Sequence, residues 1–226
     1  MIGSPRVHHR RTDSTNERAR ALAIGGAPHG TLVTADEQLA GRGRQGRSWS
    51  APPGSAVLMS VVLRELHETL PLAAAVAVCE ALPLHAAIKW PNDVWIDGRK
   101  IAGILVEGRP HEGWAVLGIG LNVTTERFPP QLRETATSLA LEGSPTTTGE
   151  ALDALLEALR RSLTSAPAAV LAAWCERDAL RGRTIRWANG AESGTAAGID
   201  AGGALIVDTA DGRVTLEAGE VHLERS

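Results

Sequence analysis

A glycine- and arginine-rich segment is the first feature of the sequence that could bind a charged ligand. Residues 41–49 read Gly-Arg-Gly-Arg-Gln-Gly-Arg-Ser-Trp. Glycines let backbone amides approach an anion closely, and guanidinium groups bind phosphate or carboxylate oxygens through charge-assisted hydrogen bonds. The segment lacks helical or strand periodicity. It therefore predicts a phosphate-binding loop, although a solvated linker or an RNA-contacting arm has the same composition.

A second segment with possible chemistry is residues 89–93, which read Lys-Trp-Pro-Asn-Asp and follow a short apolar run. A lysine at the end of a buried strand can act as a point charge beside a developing anion, and the aspartate can hold magnesium. The same residues are also ordinary turn chemistry. This segment predicts a polar turn at a strand end, with binding as one interpretation and a plain turn as the other.

Interior glycines mark two neighbouring candidate strands. Gly103 lies within the apolar run 100–107, and residues 118–122 read Gly-Ile-Gly-Leu-Asn. Glycine weakens a strand, so its presence indicates a bulge or the close approach of another group. The two strands together predict a shallow floor for a ring system, with the amide of Asn122 at the strand end.

The elements that must position these segments follow from periodicity and from start and stop signals. Ser14 and Glu17 have the spacing of a capping box, and Asp97-Gly98 is a hairpin turn signal. Helices are predicted over residues 15–24, 71–82, 150–163 and 167–180. Strands are predicted over residues 31–35, 55–63, 85–90, 94–96, 100–107 and 114–121.

The sequence changes character after Gly182. Short candidate strands at 184–187 and 204–207 are separated by glycine-containing turns at 189–190, 202–203 and 211–212. Closely spaced short strands predict a small barrel. We therefore predict two domains, residues 1–180 and residues 181–226.

Composition limits the classes of function. Of the 226 residues, 43% are hydrophobic, which is typical of a globular protein. The formal net charge of −3 gives the chain no general affinity for nucleic acid or acidic membranes. Cys79 and Cys175 lack metal-ligand spacing and predict buried reduced thiols. His8 and His9, on an arm without a signal peptide pattern, are read as part of a solvated tail. These features predict a cytoplasmic protein.

Three segments taken together resemble the catalytic signature of bacterial biotin–protein ligases. They are the arginine-containing loop at 41–49, the Lys-Trp-Pro-Asn-Asp segment and the Lys-x-Ala-Gly-Ile-Leu strand at 100–105, in this order and spacing. The similarity extends to residues 14–16, Gln38, residues 118–122 and the C-terminal unit. It implies a mixed α/β (α+β) fold, in which a mixed sheet with flanking helices is followed by a small SH3-like β-barrel.

The resemblance also implies an activity and its residues. Family members convert biotin and ATP to biotinyl-5'-adenylate and then biotinylate a lysine of a biotin carboxyl carrier protein, with Mg²⁺. The implied catalytic residues are Lys89, Arg42 and Arg44. The implied biotin-binding residues are Ser14, Thr15, Asn16, Gln38, Arg42, Gly43, Arg44, Lys89 and Gly103. The implied ATP-binding residues are Arg44, Arg47, Trp49, Lys89, Asn92 and Asn122, and the implied magnesium ligand is Asp93.

Rival interpretations concern related and unrelated classes. Lipoate or octanoate ligases resemble biotin ligases in fold but lack this combination of motifs. A nucleic-acid-binding module using the arginine loop is disfavoured by the net charge and by the single phenylalanine and absent tyrosine. Only 13 residues precede Ser14, too few for the helix-turn-helix domain of family members that are also repressors, so no operator binding is expected. The oligomeric state stays open between monomer and homodimer.

Overall fold

The computed structural model describes residues 1–217, 219 and 221–223. Its larger part is built on a seven-stranded mixed sheet with strand order β1-β2-β3-β7-β6-β5-β4. Only β1 and β2 are parallel, and the other neighbouring strands pair antiparallel. The strands are β1 (Arg6–His9), β2 (Leu32–Ala35), β3 (Ala56–Leu63), β4 (Ala87–Lys89), β5 (Asp93–Ile96), β6 (Arg99–Arg109) and β7 (Trp114–Asn122).

Helices cover both faces of this sheet. They are α1 (Thr15–Ile24), α2 (Leu70–Ala81), α3 (Thr148–Ser162) and α4 (Pro167–Cys175). Successive residues of a strand face opposite sides. Val62 of β3 packs with Ala19 and Ala23 of α1, whereas Val61 and Leu63 belong to the larger core that includes α2 and α3. Every residue of β3 is buried for this reason.

The C-terminal part is a five-stranded antiparallel sheet with strand order β11-β10-β9-β8-β12. Its strands are β8 (Thr184–Trp187), β9 (Glu192–Ile199), β10 (Leu205–Thr209), β11 (Gly212–Leu216) and β12 (His222–Leu223). The turn between β8 and β9 has positive φ values at Asn189 and Gly190, which suits the asparagine-glycine pair. The predicted short strands are thus confirmed as an antiparallel sheet, and its closure into a small SH3-like barrel stays a prediction.

Most predicted elements are confirmed, with shifts of one to a few residues at their ends. The leucine stripe of α3 is buried, and Leu155 and Leu159 are 0% exposed.

Cys79 and Cys175 are free, and burial raises the pKa of the Cys79 thiol to about 12. Within the residues described, no helix is long and apolar enough to cross a membrane.

Three local predictions were wrong. The N-terminal arm read as a solvated tail contains strand β1, and the His8 Nδ1 lies 3.0 Å from the Thr34 hydroxyl of β2. Ser14 precedes α1 but makes no side-chain capping bond. The return bond of a capping box is also missing, because the Glu17 carboxylate pairs with Arg42 and Ser14 N donates to Asp13 Oδ1 at 2.7 Å.

The last wrong prediction concerns the end of α4. This helix ends at Cys175 rather than at residue 180. The chain that follows α4 pairs with β4, through Ile88 N to Arg177 O at 2.6 Å and Ala179 N to Ile88 O at 2.9 Å. Pairing with the sheet edge therefore replaces the last predicted helical turn.

Candidate active site

An open cleft of about 870 Å³ brings the predicted site segments together beside the sheet. Its walls come from the start of α1, the arginine loop at 41–49, the turn after β4 and strands β6 and β7. The predicted site residues that line it are Ser14, Thr15, Asn16, Gln38, Arg42, Gly43, Arg44, Arg47, Trp49, Lys89, Asn92, Asp93 and Gly103. The C-terminal part contributes Gly219 and Val221.

Polar side chains at the start of α1 form one end of the cleft. Ser14, Thr15 and Asn16 are 2%, 4% and 5% exposed. Gln38 Oε1 accepts hydrogen bonds from Thr15 N at 2.7 Å and from Thr15 Oγ1 at 3.0 Å. The Ser60 hydroxyl lies 2.8 Å from Thr15 Oγ1 and 2.6 Å from Asn16 Oδ1. We call residues 14–16, Gln38 and Ser60 the ring pocket.

The orientation of the Asn16 amide is fixed from two sides. Its Oδ1 faces Ser60, and its Nδ2 donates to Glu107 Oε2 at 2.8 Å. A Cβ at Gly118 of β7 would overlap Asn16 Oδ1, so only glycine leaves room for the amide. Sequence motifs assign no role to Ser60 or Glu107, although a serine within the apolar run of β3 is a usable signal of a buried polar contact.

The arginine loop is folded back on itself. Gly43 N donates to Arg47 O at 2.7 Å, and Trp49 N donates to Gly41 O at 2.9 Å. The tip includes Gln45, with φ of 55°, and Gly46, with φ of 75°. These bonds hold the two arms of the loop together, and the loop lines the cleft.

The arginines of this loop differ in their surroundings. The Arg42 guanidinium forms ion pairs with Glu17 and with Glu107, the second at 2.8 Å. Burial lowers the pKa of Arg44, an effect that Asp93 opposes and Arg47 reinforces. A partly buried guanidinium beside a second cation gains from a bound anion. Arg44 and Arg47 therefore make this side of the cleft suited to a phosphate group.

Trp49 occupies the glycine floor that the sequence predicted. Gly103 of β6 and Gly120 of β7 are direct partners in the sheet. A Cβ at Gly120 would overlap the Trp49 indole, and one at Gly103 would lie 3.1 Å from its Cζ3. The indole Nε1 is buried without a hydrogen-bond partner among the described residues. The flat group over the glycines is thus the chain's own tryptophan.

The turn after β4 presents the other charged groups. Lys89 lies 5.2 Å from the centre of the Trp95 ring, and Lys100 Nζ lies 2.6 Å from Asp93 Oδ1 and 5.6 Å from the centre of the Trp49 ring. The chain contains only these two lysines, and both line the cleft. Lys100 belongs to the motif at 100–105, and the sequence motifs assign it no role.

Asn92 and Asn122 use their side chains to hold the backbone. Asn92 lines the cleft, and its Nδ2 donates to Ile104 O at 2.9 Å. Asn122 is 4% exposed, donates to Thr137 O at 3.0 Å and does not line the cleft. Asn122 is therefore the one predicted site residue that the structure does not bring to the others.

The C-terminal sheet contacts the same turn through Trp90. This side chain is 2% exposed, and its Nε1 donates to Gly203 O at 3.0 Å. Gly203 has φ of 86°, and a Cβ there would lie 2.9 Å from Leu72 of α2. Asp200 Oδ1 fixes the turn by accepting from Gly202 N and Ala204 N, both at 2.9 Å. The residue after Lys89 is thus anchored in the C-terminal part.

The cleft offers few side-chain donors for a metal ion. Among the residues described, no group of three or more histidine, cysteine, aspartate or glutamate side chains is placed to hold a metal ion. Asp93 is the single predicted ligand in the cleft, and its carboxylate pairs with Lys100. Magnesium often binds through one or two carboxylates together with substrate phosphates. This donor set fits magnesium brought with a nucleotide.

The chain is similar to known proteins along almost its whole length. Residues 9–123 match the Biotin/lipoate A/B protein ligase family, and residues 184–223 match the Biotin protein ligase C terminal domain. The chain is 36% identical over 253 residues to the bifunctional ligase/repressor BirA of Bacillus subtilis, covering 99% of this chain and 75% of that protein.

Other relatives share these features over nearly their full length. The chain is 38% identical over 238 residues to a biotin–[acetyl-CoA-carboxylase] ligase of Paracoccus denitrificans, covering 93% of this chain and 97% of that one. A biotin protein ligase from Aquifex aeolicus, solved in complex with biotin and ATP, has a TM-score of 0.85 at 27% identity, covering 99% and 100% of the two chains. The chain therefore belongs to the biotin/lipoate protein ligase family, in its biotin protein ligase branch.

Proposed function

We propose that this chain is an ATP-dependent biotin–protein ligase. It joins biotin to ATP as biotinyl-5'-adenylate and then passes the biotinyl group to one lysine of a biotin carboxyl carrier domain. The observation that carries this proposal is the single cleft in which a polar ring pocket, a lysine and an arginine loop meet. The similarity to biotin protein ligases over the whole chain supports it.

The first half-reaction joins two anions. A biotin carboxylate oxygen attacks the α-phosphorus of ATP, and pyrophosphate leaves. Lys89 would offset the repulsion between the carboxylate and the α-phosphate, with Arg44 and Arg47 on phosphate oxygens and Trp49 shaping the nucleotide side. The second half-reaction needs no enzyme nucleophile, because the acceptor amine attacks the mixed anhydride and AMP leaves.

The ring pocket is proposed to hold the ureido ring of biotin. This ring offers two N–H donors and one carbonyl acceptor, and the hydroxyls and amides of Ser14, Thr15 and Asn16 match both. Gln38 holds Thr15 in place through two hydrogen bonds. The backbone of residues 42–44 would cover the ring and the valeryl tail, with Gly103 below.

Magnesium is proposed to enter with ATP. Asp93 would hold the ion together with phosphate oxygens, and the ion would reduce the negative charge on the triphosphate. Asp93 would have to exchange part of its contact with Lys100 for this role.

The wider setting is also proposed. We assign catalysis to residues 1–180 and a supporting role to residues 181–226, because Trp90 is anchored at Gly203. The acceptor would be the carrier domain of a biotin-dependent carboxylase, and the reaction would take place in the cytoplasm.

The proposal is tested by incubating the protein with ATP and magnesium together with either biotin or lipoate. Acid-labile acyl-adenylate and released pyrophosphate are then measured. The expected result is acyl-adenylate and pyrophosphate in the biotin incubation and neither in the lipoate incubation. Product with lipoate alone would assign the chain to the lipoate side of the family, and salt-dependent binding of single-stranded nucleic acid without adenylation would favour a binding module.

A further inference from the structure

The side chain of Glu107 joins two parts of the candidate active site. Its Oε2 accepts a hydrogen bond from Asn16 Nδ2 at 2.8 Å, and its Oε1 lies 2.8 Å from the Arg42 guanidinium. Asn16 belongs to the ring pocket, whereas Arg42 belongs to the arginine loop. One carboxylate on β6 therefore contacts both.

Arg42 is held from two elements at once. One of its terminal nitrogens pairs with Glu17 of α1, and the other pairs with Glu107 of β6. The loop backbone at residue 42 is thus tied to a helix and to a strand of the sheet. This arrangement engages both terminal nitrogens of Arg42 with carboxylates, so phosphate contact falls to Arg44 and Arg47.

We propose that Glu107 is a positioning residue that couples the ring pocket to the arginine loop. The proposal rests on the proposed function, since the ring pocket is the part assigned to biotin. The carboxylate fixes which way the Asn16 amide points, because Oδ1 faces Ser60 and Nδ2 faces Glu107. The same carboxylate holds the loop through Arg42.

The coupling works in both directions. A ligand that holds Asn16 in its present orientation also holds Glu107 where it meets Arg42, and this favours the loop position described here. By linkage, the held loop strengthens ligand binding by the same factor. Loss of the carboxylate should therefore weaken biotin binding and loosen the loop together.

The test compares Glu107→Gln with a matched control, Glu112→Gln. Glu112 lies in the turn between β6 and β7, where it pairs with Arg109 and accepts from Trp114 Nε1, and it does not line the cleft. Both variants remove one carboxylate charge without changing side-chain length. Thermal unfolding checks that both remain folded.

Two measurements are made on each protein. The KM for biotin in adenylate formation should rise about tenfold in Glu107→Gln, with a smaller change in kcat and in the KM for ATP. Trypsin should cleave within residues 41–49 of the ligand-free protein about threefold faster, since half-exposed ion pairs contribute only modest free energy. Glu112→Gln should match the wild-type protein in both.

A double-mutant cycle supplies an independent measure. If Arg42 and Glu107 act through each other, the KM for biotin of the protein carrying both Arg42→Gln and Glu107→Gln should be less impaired than the two single effects combined. Additive effects would overturn the proposal, as would a Glu107→Gln protein that matches Glu112→Gln in both measurements. Failure of the wild-type protein to adenylate biotin would instead refute the proposed function, and the ligand-free trypsin comparison would still test the hold of Glu107 on the loop.

Discussion

The indole ring of Trp49 occupies the space that a side chain at Gly120 would need. The two residues come from the arginine loop and from β7, and Gly103 lies beside Gly120 on the neighbouring strand. The loop is therefore seated on the sheet through a ring packed against glycine backbone. Trp49 and Asn16 line the same cleft, and the nucleotide is proposed to bind on the Trp49 side of it.

Substitution of Gly120 should affect the nucleotide more than biotin. In Gly120→Ala the new methyl group overlaps the indole, so Trp49 must move away from the floor. We expect the KM for ATP to rise about tenfold, equivalent to about 1.4 kcal/mol, with a much smaller change for biotin. Steady-state adenylation kinetics check this, with Gly149→Ala as control because its Cβ would meet nothing within 4 Å.

Substitution of Gly118 should have the opposite selectivity. The added methyl group in Gly118→Ala overlaps Asn16 Oδ1 and breaks the amide's contact with Ser60. Overpacking of a buried site typically costs about 1–3 kcal/mol of folding stability. Displacement of the Asn16 amide should also lower biotin affinity roughly 2- to 10-fold, since one hydrogen bond contributes about 0.5–1.5 kcal/mol. Calorimetric titration with biotin alone measures it. Equal loss of biotin and ATP binding in the Gly118 and Gly120 variants would contradict the division of the cleft.

Lys89→Met should remove most of the first half-reaction. The lysine is proposed to face the reacting carboxylate and phosphate, and removal of one such charge-stabilising group typically costs about 10²–10³ in kcat. Pyrophosphate release in a single turnover reports this step. A variant that keeps more than half of the wild-type rate would show that the fixed positive charge comes from elsewhere.

Lys100→Met should act on ATP affinity rather than on the chemical step. Lys100 pairs with Asp93 at 2.6 Å and lies over the Trp49 ring, so its loss disturbs the nucleotide side and the proposed magnesium ligand. We expect the KM for ATP to rise about tenfold while kcat falls less than in Lys89→Met. The dependence of rate on magnesium concentration, measured for both variants, would reveal whether Asp93 is affected.

Gly203→Ala should weaken both stability and catalysis. Its φ of 86° and the nearby Leu72 Cδ1 at 2.9 Å penalise a side chain. The turn must shift away from Trp90 Nε1, which then loses its acceptor. We expect a loss of about 1–3 kcal/mol in the free energy of unfolding. Gly202→Ala is the matched control, because its φ lies outside the left-handed region and its nearest neighbour is Asp200 Oδ1 at 3.4 Å.

The sequence predicted elements and motifs better than it predicted contacts. Strand β3 and helix α3 were located because their apolar residues have strand length and helical spacing. Strand β1 was missed because its Arg-Val-His-His sequence has too few apolar residues to distinguish an edge strand from a tail. Ser14 and Glu17 have capping-box spacing, but the Glu17 carboxylate forms an ion pair with Arg42, which is distant in the sequence.

The same limit explains the differences at the site. The motifs predicted most residues of the cleft, yet the spacing of residues along the sequence cannot reveal which side chains contact each other across strands. The glycines at 103 and 120 predicted a flat neighbour, and only strand register and loop folding made that neighbour Trp49. Asn122 ends its strand as predicted, but its side-chain amide donates a hydrogen bond to the Thr137 carbonyl and not into the cleft.

The confinement of both lysines to the cleft bears on self-modification. Acyl-adenylates react with any accessible amine, and most proteins carry many lysines on their surface. Here the only side-chain amines belong to Lys89 and Lys100, and the second is paired with Asp93. Apart from histidine, the other positively charged side chains are arginines, whose guanidinium groups stay protonated. An activated acyl group that escapes the cleft therefore finds no lysine on the outside of this protein, and any acyl mark left on its side-chain amines reports events inside the cleft.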